Sequence, residues 1–307
     1  MSIINMYKQM VTIRIVEDKL QELCFKGEAG DLHFNKGQEA ISVGVCAALK
    51  PTDYIVTHHR TIAHCLAKGA NLYPLLAEIL GKSTGINKGM AGEMHINMPQ
   101  IRHMFSFQLV GTCIPVAVGL AYALKYYKKT NDIVAVFFGD AATSNGQFHE
   151  GANIAAIKNV PLLMICENNG LAGNITKEYY LPIPSICDRM RAYGISTARI
   201  DGNNVQAIRD FVKYTSLEYV RRFSKPCFIE MDTTRLCCHK QGQRDIRTPE
   251  QIAKLAERDP ILLEEKRLSI APEQRKKIWD EIAADVDHVL EKVDKDSPSS
   301  LSEIVSL

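Results

Sequence analysis

No apolar run in this 307-residue sequence approaches the ~20 residues needed to cross a bilayer, so no membrane span is expected. Charge of one sign is missing too. The chain carries 37 Lys and Arg against 35 Asp and Glu, a formal net charge of +2, which gives no support for a nucleic-acid binder. No Gly-x-Gly-x-x-Gly follows a predicted strand, which argues against a dinucleotide site. None of the nine cysteines forms a Cys-x-x-Cys pair, and the adjacent Cys237-Cys238 is poorly placed for an unstrained disulfide. Several, such as Cys166 and Cys227, sit inside apolar runs, as small buried hydrophobes do in a reducing compartment. The start, MSIINMYKQMVTIRIVEDKLQEL, lacks the charged, apolar and small-residue zones of a signal peptide and reads as an amphipathic helix. The expected location is the cytoplasm. Internal repeats and low-complexity linkers are also absent.

What is present is 46% hydrophobic residues, ample for a full core, organised around Ile133–Asn169. Ile133–Phe138 is an unbroken apolar run too short for a stable helix and rich in β-formers, and Pro161–Cys166 is a second. Gly146–Lys158 between them reads as a helix. Two continuous apolar strands joined by a helix make a βαβ unit with buried parallel strands lying side by side or nearly so. The expected fold is therefore α/β, a mostly parallel sheet with helices on both faces. Gly139-Asp140 falls just past the first strand and Glu167-Asn168-Asn169 just past the second, where ligands of open parallel sheets bind. A carboxylate and a carboxamide presented together are hard oxygen ligands suited to Mg²⁺ or Ca²⁺.

Around this unit, residues 1–50 read as helical, interrupted by loops at Gly27–Gly30 and Asp31–Gly37. A short strand over Asp53–Thr57 ends at His58-His59-Arg60, and short helices follow to Ala67 and over 73–80. Residues 81–112 carry glycines at 81, 85, 89, 92 and 111 with little periodicity, a loop long enough to suggest a role. A helix is expected over Pro115–Tyr127, a loop over 170–188, a strand over Gly194–Ile200, a helix over Val205–Phe223 and a buried strand over Pro226–Thr234. Thr248-Pro249-Glu250 is a helix start, with a capping residue, proline at the first helical position and then an acid. The tail from Pro260 reads as helical and charged. Four segments thus follow strand ends: His59-Arg60, Asp140, Asn169 and Arg235–His239. A cation, a carboxylate, a carboxamide and a histidine meeting at one sheet edge suit a metal-diphosphate ligand.

With these residues in place, the sequence resembles the alpha chain of the thiamine-diphosphate-dependent decarboxylating component of 2-oxo-acid dehydrogenases, the pyruvate and acetoin dehydrogenase alpha-subunit family. The resemblance spans residues 8–260. Its strongest motif is Gly139-Asp140-Ala141 followed by Asn168-Asn169, filled in by Asn145-Gly146-Gln147, Glu150, Asn153 and Glu167. Further matches are His33 with Gly37-Gln38-Glu39-Ala40, His59-Arg60 with Leu66-Ala67-Lys68-Gly69, Lys88-Gly89 with Met94-His95, and Arg235 with His239.

The resemblance implies one thiamine-diphosphate-binding domain over residues 1–307, the diphosphate-binding half of the fold, with 260–307 as a helical extension. It implies Mg²⁺ held by Asp140, Asn169 and the backbone carbonyl of Leu171. Cofactor contacts would come from His59, Arg60 and His239, from the backbone of Gln108 and Val110 at the aminopyrimidine, and from Gly139, Asp140, Ala141 and Ala142 at the diphosphate. His33 and His239 would lie nearest the reacting centre, histidine suiting proton traffic near neutrality. The substrate would be a small 2-oxo acid of pyruvate type. A beta subunit, supplying the glutamate that activates the aminopyrimidine, would complete an α2β2 heterotetramer, with a lipoyl-bearing acyltransferase as acyl acceptor.

Three departures stand out: Ala141 in place of a glycine, Thr61-Ile62-Ala63-His64 where the family has two histidines, and Cys237-Cys238-His239-Lys240 where a second histidine pair is common. The last two are expected where substrate and acyl acceptor approach. They open an alternative, a biosynthetic carboligase that passes the acyl unit to an aldehyde or ketone. A second alternative is a catalytically silent scaffold for a beta partner.

Overall fold

The computed structural model describes residues 1–300. Ser2 caps α1 (Ile3–Lys26) by accepting from the Asn5 N–H, and Gly27, at φ 74°, ends it. There follow α2 (Glu39–Ala48), β1 (Tyr54–His58), α3 (Ile62–Lys68) and α4 (Leu72–Ile79), then β2 (His103–Phe107), α5 (Cys113–Ala123), β3 (Val134–Gly139), α6 (Gly146–Lys158) and β4 (Leu162–Asn168). The second half holds the short strands β5 (Leu171–Ala172) and β6 (Ile175–Thr176), then α7 (Ile186–Ala192), β7 (Ser196–Asp201), α8 (Val205–Phe211), α9 (Leu217–Phe223) and β8 (Cys227–Asp232). Helices α10 (Pro249–Ala256), α11 (Pro260–Arg267) and α12 (Pro272–Asp294) complete the described chain.

Six strands form one wholly parallel sheet in the order β2-β1-β3-β4-β8-β7. Because strand side chains alternate, the four central strands β1, β3, β4 and β8 each feed two cores. Ala135, Phe137, Leu163 and Ile165 face the helices α1–α4, α8, α9, α11 and α12. Val134, Val136, Phe138, Met164 and Cys166 face α5, α6 and α7. The α/β fold and the helical C-terminal stretch expected from the sequence are both present, with residues 301–307 outside the described residues. Thr248 and Gln251 form a capping box at the start of α10, where the Thr-Pro-Glu signal places it. All nine cysteines are free.

The structure differs from the sequence reading at two loops. Residues 103–107, His-Met-Phe-Ser-Phe, form the edge strand β2 inside the stretch expected as loop. A five-residue edge strand of mixed polarity leaves no apolar run to find. Residues 171–176, also expected as loop, form the small antiparallel pair β5-β6.

Apart from a 3₁₀ turn at Pro99–Ile101, the rest of the long loop has no regular structure, yet it is tightly held. The buried Glu78 carboxylate on α4 accepts backbone N–H bonds from Asn87 (2.7 Å) and Gly89 (2.8 Å) on one oxygen, and from Ala91 (2.6 Å) and Gly92 (3.3 Å) on the other. Four donors on one buried carboxylate substitute for a ladder of secondary structure. Glu78→Ala is expected to destabilise the chain by about 1–3 kcal/mol by leaving these donors unmet. Hydrogen exchange at residues 87–92 should rise with it, and unchanged protection there would count against this role.

Candidate active site

In-register parallel pairing sets the strand ends level. Gly139 on β3 lies opposite Glu167 on β4, and Asn168 lies opposite Asp232 on β8. The chain therefore emerges along one edge four times: at His59-Arg60 after β1, Asp140 after β3, Asn169 after β4 and Thr233–His239 after β8. These segments converge on one cleft, whose walls include His59, Arg60, Val110, Gly139, Asp140, Ala141, Ala142, Asn169, Leu171, Arg235 and His239. Of the residues singled out in the sequence, Gln108 stands apart, exposed on the turn after β2. His33 lies behind the cleft wall, its ring edge-on to His59 (centroids 4.8 Å) and His239 (5.2 Å).

Asp140 opens a 3₁₀ turn (Asp140–Ser144) and is 1% exposed. Tyr180 donates its hydroxyl to Oδ2, while the buried Oδ1 has no partner. Burial pushes the Asp140 carboxyl up to about 6, against the opposing pull of the Tyr180 hydroxyl and the Asn169 N–H. Asn169 donates through Nδ2 to Gln38 Oε1 (2.8 Å) and accepts at Oδ1 from the Leu171 N–H (3.0 Å). Gln38 is delivered by the turn at Gly37, whose φ is 92°. A Cβ at Gly37 would collide with the Thr234 carbonyl and the Leu236 side chain, so only glycine lets the two segments meet.

The cationic wall is equally constrained. Arg60 donates through Nη1 to the Phe34 carbonyl (2.6 Å), and through Nη2 to the His239 carbonyl (2.7 Å) and to His239 Nδ1 (3.0 Å). An arginine only donates, so His239 Nδ1 is the acceptor and the ring's proton sits on Nε2. Arg235 donates to the carbonyls of Cys237 (3.1 Å) and Gly173 (2.9 Å). Arg247 ties down the same loop through the carbonyls of Arg235 (2.5 Å) and Cys237 (2.8 Å). Burial and the neighbouring cation Arg60 lower both His33 and His239 to about 4.

Beneath the cleft lies a network hidden from sequence reasoning. Glu167 sits 2.9 Å from His58 Nε2 and 2.8 Å from His64 Nε2. The composition resembles a three-ligand metal site. A metal-bound histidine donates its other N–H outward. His58 Nδ1 instead accepts the Arg60 backbone N–H (3.1 Å), so its Nε2 is protonated and unavailable to a metal. His64 Nδ1 donates to the Arg60 carbonyl (3.1 Å), so with Glu167 ionised both His64 nitrogens hold protons. Burial favours the neutral Glu167 carboxyl, but the two imidazoles outweigh it and hold the group well below the usual carboxylate range. The sequence reading also missed Gln38 and Tyr180, and Glu93, which is bonded to His33. Gln38 lay inside a quoted motif, whereas Tyr180 and Glu93 carried no local signal. Conversely, Ile62 and Ala63, expected near the substrate, are fully buried in the core, and Thr61 bonds Thr57 (2.8 Å). Removing one partner of the buried network, Glu167→Ala, is expected to cost about 3–5 kcal/mol in denaturant unfolding, and a loss under about 1 kcal/mol would show that the network carries no buried charge.

This arrangement agrees with comparisons to known proteins. A family model described as dehydrogenase E1 component matches residues 7–301. The chain is 38% identical over 261 residues to the alpha subunit of acetoin:2,6-dichlorophenolindophenol oxidoreductase from Bacillus subtilis (strain 168), covering 83% of this chain and 77% of that one. It is 33% identical over 268 residues to the chloroplastic pyruvate dehydrogenase E1 component subunit alpha-3 of Oryza sativa subsp. japonica, covering 84% of this chain and 63% of the relative. It is 33% identical over 264 residues to the pyruvate dehydrogenase E1 component subunit alpha of Porphyra purpurea, covering 83% and 76%. The chain belongs to the dehydrogenase E1 component family, as an alpha chain of the thiamine-diphosphate-dependent 2-oxo-acid dehydrogenase type.

Proposed function

We propose that this chain grips the Mg²⁺-diphosphate end of thiamine diphosphate and, with a beta subunit, decarboxylates a small 2-oxo acid of pyruvate type and passes on the acyl unit. One observation carries the reading: Asp140 Oδ1 is buried and unpartnered in a cleft that also holds the Asn169 carboxamide. A buried carboxylate oxygen without a donor is costly, and a cation there removes the cost. Asp140, Asn169 and the Leu171 carbonyl would supply three protein oxygens, leaving positions for diphosphate and water, as Mg²⁺ prefers. Arg235 and the two N–H groups of Arg60 left over from its three bonds supply positive charge for the phosphates.

When bound, the cofactor supplies the electron sink that makes loss of carbon dioxide from a 2-oxo acid feasible. The residues of this chain do the rest. Tyr180 holds Asp140 by one oxygen and leaves the other for the metal. The backbone of Gly139, Ala141 and Ala142 lines the diphosphate end, while Gln108 stands outside the cleft. His239 presents an Nε2–H fixed by Arg60, and His33 stands behind it.

The partner reading rests on exposed apolar side chains beside the cleft. Leu109 and Val110 are 73% and 45% exposed, with Phe105 next to them and Ile154 and Ile157 on the outer face of α6. Exposed apolar side chains of this kind suit a permanent subunit contact, here the beta chain of an α2β2 assembly. The same reading takes residues 1–307 as one domain with 260–307 as its extension. The free thiols fit a reducing compartment such as the cytoplasm. With Ile62 and Ala63 in the core, the carboligase alternative keeps only the Cys237–Lys240 segment in its support. Product analysis with a lipoyl domain or an aldehyde as acceptor decides between the two.

Calorimetric titration of Mg²⁺ and thiamine diphosphate into the chain co-expressed with its beta partner is expected to show Mg²⁺-dependent binding that Asp140→Ala abolishes. No binding, or binding unchanged in the variant, would leave only the scaffold reading. Tyr180→Phe, which removes the support of a metal ligand, is expected to weaken Mg²⁺ affinity about 10–100-fold with the fold intact. Wild-type affinity would show that Tyr180 plays no part in holding Asp140.

A further inference from the structure

Gln38 is 1% exposed and lines the cleft, on the turn that Gly37 shapes. Its backbone is held on both sides. Its N–H donates to the Asn35 carbonyl (2.7 Å), and its carbonyl accepts from the Ile41 N–H (3.2 Å). The two ends of its side-chain amide are told apart by the hydrogen bonds around them. The Leu171 N–H can only donate, so the Asn169 atom it meets at 3.0 Å is Oδ1. The other end of that carboxamide is Nδ2, which donates to Gln38 at 2.8 Å, so the receiving atom is Oε1. Gln38 Nε2 is what remains, with two N–H groups, buried and without a hydrogen-bond partner. Glu39, its neighbour in the chain, turns to the scaffold instead and binds the Gly37 N–H (3.0 Å) and Arg14 (2.6 Å).

The cleft thus holds two unmet groups of opposite kind, beside His59 Nε2, which can serve as either. Asp140 Oδ1, when ionised, only accepts, Gln38 Nε2 only donates, and the two do not bond each other. Each is costly to leave buried and unpaired. A lone cation would satisfy the carboxylate and leave the amide unmet. A lone anion would do the reverse and sit beside a carboxylate. A cation that carries its own acceptor oxygens satisfies both. We propose that Gln38 is a ligand-binding residue of this site, which holds the Asn169 carboxamide through Oε1 and donates through Nε2 to a phosphate oxygen of the metal-bound diphosphate. The choice of a diphosphate as acceptor rests on the function proposed above, but the unmet donor does not.

The test is calorimetric titration of thiamine diphosphate, and separately of inorganic pyrophosphate, into the chain co-expressed with its beta partner. At saturating Mg²⁺, where a displaced Asn169 no longer limits binding, Gln38→Met is expected to weaken both ligands about 10–100-fold, because a hydrogen bond to a charged oxygen is lost. Gln38→Asn keeps the amide but shortens its reach by one methylene, and the same loss is expected. Wild-type affinity in either folded variant overturns the proposal. So does a deficit that disappears at saturating Mg²⁺, since Gln38 would then act through Asn169 alone. The wild type answers even where neither variant folds. The Gln38 side-chain amide signal in the ¹⁵N-glutamine-labelled assembly is expected to shift when Mg²⁺ and pyrophosphate are added, and an unmoved signal overturns the contact. Absence of binding in the wild type would overturn the proposed function itself, whereas wild-type binding with unaffected variants removes only Gln38 from it.

Discussion

Everything at the cleft depends on the in-register pairing of β3 with β4. Gly139 opposite Glu167 brings Asp140 and Asn169 out of the sheet on neighbouring strands. A slip of one residue would reverse which side chains face each core, exchanging Ala135 and Phe137 for Val134, Val136 and Phe138. Both faces are covered, so the two sets of apolar side chains resist such a slip together. The site's geometry is in this sense paid for by the hydrophobic cores. The strand ends are fixed by apolar packing and not by the polar contacts of the site, which allows Asp140 to be held with one oxygen unmatched.

What the sheet does not reach, buried carboxylates do. Glu78 gathers residues 87–92, Glu93 takes the backbone of His33, and Glu17 on α1 accepts the Asn35 N–H through both oxygens at 2.8 and 2.9 Å. Glu39 accepts the Gly37 N–H (3.0 Å) and Glu230 the Ile186 N–H (2.9 Å). Each is a buried carboxyl group that is costly to leave without partners. Charge-assisted bonds from backbone donors, joined at Glu39 by Arg14 (2.6 Å), offset that cost. A carboxylate with two oxygens can satisfy several loop N–H groups that have no strand or helix to join. This is how irregular segments around the cleft attain fixed positions without regular structure.

The same division explains what could be read in the sequence. The core strands β3, β4 and β8 and the helix between the first two announce themselves as apolar runs and a periodic segment, and Thr248-Pro249 announces α10. Asp140 and Asn169 follow from those strand ends. Glu93 meets His33 across 60 positions and Tyr180 meets Asp140 across 40, and nothing local marks either contact. The substitution at Ile62 looked like a change in the site. The structure puts it in the core, while the surviving His64 is engaged by Glu167 instead of a ligand. Composition shows which residues are unusual, but only packing shows which way they face.

Charge and proton handling are kept apart in the cleft. Arg60 and Arg235 carry the fixed positive charge, and burial, together with the nearness of Arg60 and, for His33 and His239, of Arg235, keeps His33, His59 and His239 well below their ordinary value. A histidine lowered in this way is neutral at physiological pH and retains one donor and one acceptor nitrogen. Had the imidazoles supplied the charge for an anionic ligand, they would be imidazoliums without an accepting nitrogen. Assigning the charge to guanidiniums, which do not titrate, leaves the histidines free to differ from one another. Arg60 does both jobs. It brings a cation to the cleft and, through one N–H, decides which nitrogen of His239 faces the ligand.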